Sequence, residues 1–163
     1  MSEAATPAST ARPRADAPIL VSACLAGVPC RYDARAKPDP ALVDAARQGR
    51  AVPVCAECLG GLPTPRPPAE LVGGDGHEVL AGRARVLDVD GQDVTEAFVA
   101  GARAVVDVAR RTGASVAVLQ ARSPSCGRGQ VHDGSYAGRL VEGDGVTAAA
   151  LLDAGVQVVV HGD

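Results

Sequence analysis

At 163 residues with a formal net charge of −3, the chain is long enough to bury one aliphatic core and too poor in positive charge to hold long nucleic acid through its phosphates. One Phe, two Tyr and no Trp exclude aromatic stacking as its main mode of recognition. No apolar run reaches the roughly 18 residues that a membrane-spanning helix needs. Residues 1–17, rich in Ala, Ser, Thr, Pro and Arg and without a continuous apolar stretch, read as a disordered tail. A single domain is expected over 18–163. Five cysteines cannot all pair, and no secretory signal precedes them, so they read as free thiols in a reducing, cytoplasmic setting.

Residues 18–23 form a short apolar run that predicts a first buried strand. Pro40 to Gly49 predicts a helix, with Asp39 as N-cap, Pro40 at the first turn and Gly49 as its stop. Ala51–Cys55 predicts a second strand. The segment Ala56–Gly76 is broken by proline and glycine throughout and reads as one long functional loop. Ala84–Val89 predicts a small extra strand ended by the Asp90-Gly91 turn. Asp93–Thr112 is the clearest helix, since Phe98, Ala102, Val105, Val106 and Ala109 fall on one stripe and Gly113 ends it. Ser115–Gln120 predicts the third strand, and a second glycine-rich loop runs from Ala121 to about Gly138. Val146–Asp153 predicts a helix and Val156–Val160 the last strand. The alternation implies an α/β fold: a small doubly wound, Rossmann-like parallel sheet of about four strands with helices on both faces.

In such a sheet, ligands bind at the carboxyl ends of the strands. Cys24, Cys55 and Cys126 each follow one of these runs, so three thiols can meet at one point and suggest a metal or iron–sulfur site. Other readings of the cysteines stay open at this stage. Cys24, Cys30, Cys55 and Cys58 could form a structural zinc site, the centre of a binding module without chemistry. Individual thiols could be small buried hydrophobes. A thioredoxin-like Cys55–Cys58 pair needs a helix to begin at its first thiol, and the glycines and prolines after Cys58 argue that none does. An iron–sulfur cluster held by three thiolates would keep one iron open to a substrate atom. Spacing alone leaves three and four ligands equally open.

Polar residues surround the trio. Glu57 can activate a water beside a metal. Ser123 and Ser125, stiffened by Pro124, can relay a proton or orient a substrate. Arg31, Arg66, Arg122 and Arg128 lie in loops after the cysteines and can clamp a phosphate or carboxylate. The free N–H groups of Gly143–Thr147, ahead of a helix, can bind a phosphate. His77, His132 and His161 are scattered, and none is assigned as a ligand.

Four segments together resemble a known family. They are Val21-Ser22-Ala23-Cys24-Leu25 with Gly27 and Cys30-Arg31-Tyr32-Asp33; Val54-Cys55-Ala56-Glu57 with the run from Gly60 through Pro65-Arg66-Pro67-Pro68-Ala69-Glu70; Arg122-Ser123-Pro124-Ser125-Cys126-Gly127; and Asp144-Gly145-Val146-Thr147-Ala148-Ala149. In order and combination they look like the thiouracil desulfidase family, long catalogued as domain of unknown function 523. The resemblance implies a catalytic [4Fe-4S] cluster held by Cys24, Cys55 and Cys126, with Glu57 and Ser123 as catalytic residues. It implies a non-redox hydrolysis that removes sulfur from thiolated uracil bases or nucleotides, 4-thiouracil and 4-thiouridine monophosphate among them, and releases hydrosulfide. Glu57 would activate the water, and Ser123 would assist proton movement to the ring. Substrate binding is expected of Arg31, Arg66, Ser125 and Gly127. An iron–sulfur enzyme acting on another sulfur-containing small molecule is the neighbouring alternative. The expected partners are the thiolated small molecule and the iron–sulfur assembly machinery, with no long nucleic acid and no membrane. Ala56, Gln120 and Cys58 depart from the family pattern, the first two at positions that can retune substrate choice.

Overall fold

A computed structural model describes residues 16–162; most of the predicted tail lies outside the described residues. The expected parallel sheet is present. β1 (Ile19–Ser22), β2 (Ala51–Val54), β5 (Val116–Gln120) and β8 (Gln157–His161) pair in the order β2-β1-β5-β8, all parallel. From β1 the chain moves outward to β2, then returns to β5 on the other side of β1. The topological switch point therefore lies between β1 and β5, where an open sheet leaves a crevice at its carboxyl edge.

Each helix buries the face its sequence marks as apolar. α1 (Pro40–Arg47) is capped by Asp39, whose carboxylate accepts the N–H groups of Ala41 and Leu42. It packs on one face of the sheet, where Ala45 meets Val21, Ala51 and Leu25. α4 (Thr95–Thr112) and α5 (Val146–Asp153) cover the other face. There Val105, Val106 and Ala109 pack with Ala148 and Leu151 against Leu20, Ala117, Leu119 and Val158. The predicted stripe of α4 is buried along its whole length, and Gly113 ends the helix in the left-handed conformation at φ 77°. The chain's one phenylalanine, Phe98, is 1% exposed. It anchors a second cluster with Leu71, Val79, Val86, Val131 and Val146; truncating such a ring to alanine costs about 3–5 kcal/mol.

Both predicted loops contain regular structure. Within 56–76 the chain forms α2 (Ala56–Leu59) and β3 (Ala69–Val72), and α3 (Gly76–Leu80) begins at its end. Cys55 is the N-cap of α2, so a helical turn does start after it. Packing overrides the local breakers. α2 lies so close to α4 that a Cβ at Gly101 would sit 1.9 Å from the Ala56 carbonyl oxygen, an approach only glycine allows. β3 pairs antiparallel with β4 (Arg85–Asp88), which explains the extra strand. In the second loop, β6 (Gln130–His132) pairs with β7 (Leu140–Glu142) as a short hairpin. Among the described residues no helix is long and apolar enough to cross a membrane.

Candidate active site

The carboxyl ends of β1, β2 and β5 open into a cavity of about 380 Å³. Cys24 reaches it from the 3-10 turn Ala23–Ala26 directly after β1, Cys55 from the residue after β2, and Cys126 from the loop after β5. The convergence follows from sheet order, because β2 and β5 are the two neighbours of β1. Arg122 turns the chain off β5 with φ 65°, a left-handed backbone that is strained for a residue with a Cβ. The loop that follows is then fixed at both ends. Ser123 Oγ accepts the N–H groups of Ser125 and Cys126 at 3.1 and 2.9 Å. The first N–H groups of α5, from Val146, Thr147 and Ala148, donate to the carbonyls of Pro124 and Ser125. These are the groups that the sequence offered to a phosphate. They are instead consumed in holding the Ser123–Cys126 loop, and Gly145 donates likewise to Gly127.

The three thiols sense one another. Burial pushes Cys24 up to about 11, and the charges of Cys126 and Cys55 push the same way against Arg31. Cys126 is also raised, by burial first, while the neighbouring Ser22 and Ser125 hydroxyls oppose the shift. Cys55 is raised by its hydrogen bond with Cys30 and by burial, and the same bond lowers Cys30. A thiol raised in this way is no thioredoxin-type nucleophile, even with a helical turn behind it. Thiols so placed stay protonated near neutral pH unless a metal centre takes them as thiolates. Ser22 Oγ lies 3.5 Å from Cys126 Sγ and accepts the Gln120 N–H at 2.9 Å. Cys24 Sγ lies 4.0 Å from Gln120 Oε1.

One wall of the cavity is a polar chain. Arg66 Nε donates to Glu57 Oε1 at 2.8 Å, with side-chain exposures of 5% and 16%. Ser125 Oγ donates to Glu57 Oε2 at 3.0 Å and lies 3.1 Å from Ser123 Oγ. Both carboxylate oxygens of Glu57 are thus anchored within a wall that also carries Cys55 and Cys126.

A family model described as 2-thiouracil desulfurase matches residues 19–163. The chain belongs to the 2-thiouracil desulfurase family. This member of the 2-thiouracil desulfurase family is similar to the uncharacterized protein YbbK of Bacillus subtilis (strain 168), at 42% identity over 141 residues that cover 86% of this chain and 93% of that one. It is also similar to the solved structure of the [4Fe-4S]-dependent thiouracil desulfidase TudS. Identity there is 39%, the TM-score is 0.78, and the match covers 89% of this chain and 91% of that chain.

The donor set of this desulfurase-family chain suits an iron–sulfur cluster better than a single zinc ion. A lone zinc bound by thiolates at about 2.3 Å requires sulfurs roughly 3.8 Å apart. Among the described residues, the one group of potential ligands within 4.8 Å of one another is Asp75, His77 and Asp144, and no three cysteines form such a group. Those three residues satisfy each other and the backbone: His77 Nε2 meets Asp144 Oδ2 at 2.8 Å, and Asp75 accepts the Asp144 N–H at 3.0 Å. Cys58 is exposed, faces Thr64 Oγ1 at 3.5 Å and lies outside the cavity lining. Cys30 lines the cavity beside Cys55.

The residues expected to bind substrate take different places. Arg31 and Ser125 line the cavity. Arg66 also reaches its wall, but its guanidinium is committed to Glu57, the Pro63 carbonyl, Thr64 Oγ1 and the Cys30 carbonyl. Gly127 lies outside the lining and donates its N–H to the Ser123 carbonyl. Arg128 turns away to Asp144. Sequence reasoning missed Ser22, although its place at the carboxyl end of β1 was a usable signal. It also left His132 unassigned. His132 lines the cavity, and its Nδ1 is shielded from solvent without a hydrogen-bond partner.

Proposed function

We propose that residues 18–163 act as one desulfidase unit that hydrolyses the carbon–sulfur bond of thiolated uracil bases or nucleotides and releases hydrosulfide. The observation that carries this reading is the convergence of Cys24, Cys55 and Cys126 on one cavity beside an anchored Glu57, in a chain similar to TudS over nearly its whole length. The three thiols would hold a [4Fe-4S] cluster. Bound there, it supplies a Lewis acid soft enough to favour a thiocarbonyl sulfur.

The chain's own groups do the rest. Arg66 and Ser125 each take one lone pair of the Glu57 carboxylate, which fixes its orientation and leaves a lone pair on each oxygen to accept a proton from water. Ser123, in the same wall, takes part in returning a proton to the substrate. Ser22 and Gln120 sit against the Cys126 and Cys24 sulfurs, where hydrogen bonding tunes a cluster. The partnerless Nδ1 of His132 is offered to the polar edge of the base, since a buried group without a partner gains most from one. Arg31, half-buried in the lining, suits the phosphate of a nucleotide. Loading the cluster calls on iron–sulfur assembly machinery, and five free thiols suit the reducing cytoplasm.

The test is hydrosulfide release by anaerobically purified holoenzyme from 4-thiouracil, 2-thiouracil and 4-thiouridine monophosphate. The reading expects a brown protein that yields uracil or its nucleotide and hydrosulfide in equal amounts without a reductant. A colourless protein that desulfurises none of the three overturns it.

A further inference from the structure

We propose that Ser125 is the relay that joins Glu57 and Ser123 into one proton-transfer unit, an inference that rests on the desulfidase reading of this site. Two independent counts give the direction of the hydrogen bonds. Ser125 has one hydroxyl hydrogen. Glu57 Oε2 at 3.0 Å takes it ahead of Cys126 Sγ at 3.7 Å, because a carboxylate oxygen is the stronger and nearer acceptor. The 3.1 Å contact between the two serine oxygens must then carry the hydrogen of Ser123. Ser123 gives the same answer from the other end. At rest its Oγ accepts the N–H groups of Ser125 and Cys126, which occupies both lone pairs, so the hydrogen between the two serines is its own. At rest, both hydroxyl hydrogens therefore point along the wall toward Glu57.

Ser125 is 4% exposed, so its oxygen is a fixed bridge rather than a mobile surface group. The step it permits is balanced. Water forms a bond to the thiocarbonyl carbon and gives one proton to Glu57. Protonation turns Glu57 from acceptor to donor and reverses both hydroxyls: Glu57 passes a proton to Ser125 Oγ, Ser125 passes its own to Ser123 Oγ as that oxygen releases one of its two N–H bonds, and Ser123 passes its own to the departing sulfur. The carbon–sulfur bond breaks with its electron pair on sulfur, which leaves as hydrosulfide. The second water proton goes to solvent as the new hydroxyl closes to the carbonyl. Each serine ends with one hydrogen, and no oxidant or reductant enters.

The relay makes the base and the donor interdependent, which a pair of separate residues would not be. The experiment compares wild-type holoenzyme with Ser125→Ala and Ser125→Thr, using hydrosulfide release from 4-thiouracil, iron and sulfide content, and rates in H2O/D2O mixtures. Ser125→Ala is expected to keep its cluster and a KM within about twofold. Its kcat falls by about 100-fold, the lower end of what positioned proton transfer contributes. The dependence of rate on deuterium fraction, bowed in the wild type because several protons move together, becomes linear. Ser125→Thr keeps the hydroxyl and restores most of the rate. A Ser125→Ala enzyme with wild-type kcat and a bowed dependence overturns the relay while leaving the desulfidase reading intact. Loss of the cluster from Ser125→Ala also overturns it, because the hydroxyl would then serve Cys126. An inactive, fully loaded wild type overturns the desulfidase reading and the relay with it.

Discussion

Replacing Arg66 by methionine removes one member of a nearly dry ion pair and leaves Glu57 behind. The two side chains are 5% and 16% exposed, with nitrogen and oxygen 2.8 Å apart. Stranding one partner of such a pair costs about 3–5 kcal/mol. The same substitution unmakes bonds to the Pro63 carbonyl, Thr64 Oγ1 and the Cys30 carbonyl at 3.1, 3.0 and 2.9 Å. In a domain of this size, roughly 2–4 °C per kcal/mol turns the ion-pair loss into a drop in melting temperature of roughly 6–20 °C. Arg66→Lys is expected to recover little, since an ammonium cannot reproduce the planar fork that spans four acceptors. Glu57→Gln on the methionine background is expected to recover a large part, since the carboxylate is no longer buried alone. The assay is chemical and thermal unfolding without cluster: wild type, Arg66→Met, Glu57→Gln and the double variant form a double-mutant cycle, with Arg66→Lys measured beside them. An Arg66→Met protein within about 1 kcal/mol of wild type, or additive effects of the two changes, would refute the buried pair and return Arg66 to the substrate role its sequence position suggested.

Cys24→Ala, Cys55→Ala and Cys126→Ala are each expected to lose iron and sulfide on anaerobic purification, whereas Cys58→Ala, exposed and outside the cavity, keeps both. Glu57→Ala is expected to retain its cluster and lose turnover by about 100-fold or more; a fully active variant removes Glu57 from the chemistry. Gly145→Ala would put a Cβ 2.5 Å from the Ser125 carbonyl carbon. The backbone must move, so about 1–3 kcal/mol of stability goes with it, and iron content should fall because the displaced loop carries Cys126. His77 is raised above its ordinary value of 6.5, chiefly by its hydrogen bond to Asp144. Asp144 is lowered: burial opposes the shift, and the Gly129 N–H and His77 outweigh it. The raised histidine stabilises the fold fully below about pH 6.5 and loses that contribution as pH rises through its folded value. Melting temperature measured from pH 6 to 9 should therefore decline more in wild type than in His77→Gln; parallel curves contradict the assignment.

Much of this architecture was legible before any coordinates. Short aliphatic runs ended by loops marked β1, β2, β5 and β8, and the 3.6-residue recurrence from Phe98 to Ala109 marked α4, because burial on one face leaves that trace in sequence. The thiol trio was legible for the same reason, as residues just past strand ends. What escaped was set by partners distant in sequence. α2 has too few residues to show a period and exists because Gly60 and Gly101 let it lie on α4. β3 is four residues among prolines and is stabilised by pairing with β4. Arg66 looked like any loop arginine, and only the fold reveals that its charge is buried against Glu57. The α5 N-terminus had the pattern of an anion site, yet the carbonyls that fill it come from Pro124 and Ser125, some twenty residues upstream.

The central claim is that three cysteines hold a [4Fe-4S] cluster with one iron left for the substrate's sulfur. Mössbauer spectroscopy of anaerobically reconstituted, iron-57-labelled protein, with and without 4-thiouracil, addresses it most directly. The account predicts that one iron site in four changes its signal on addition of the thiolated base while the other three hold theirs. Protein that takes up no iron, or a four-iron spectrum indifferent to the base, would contradict it.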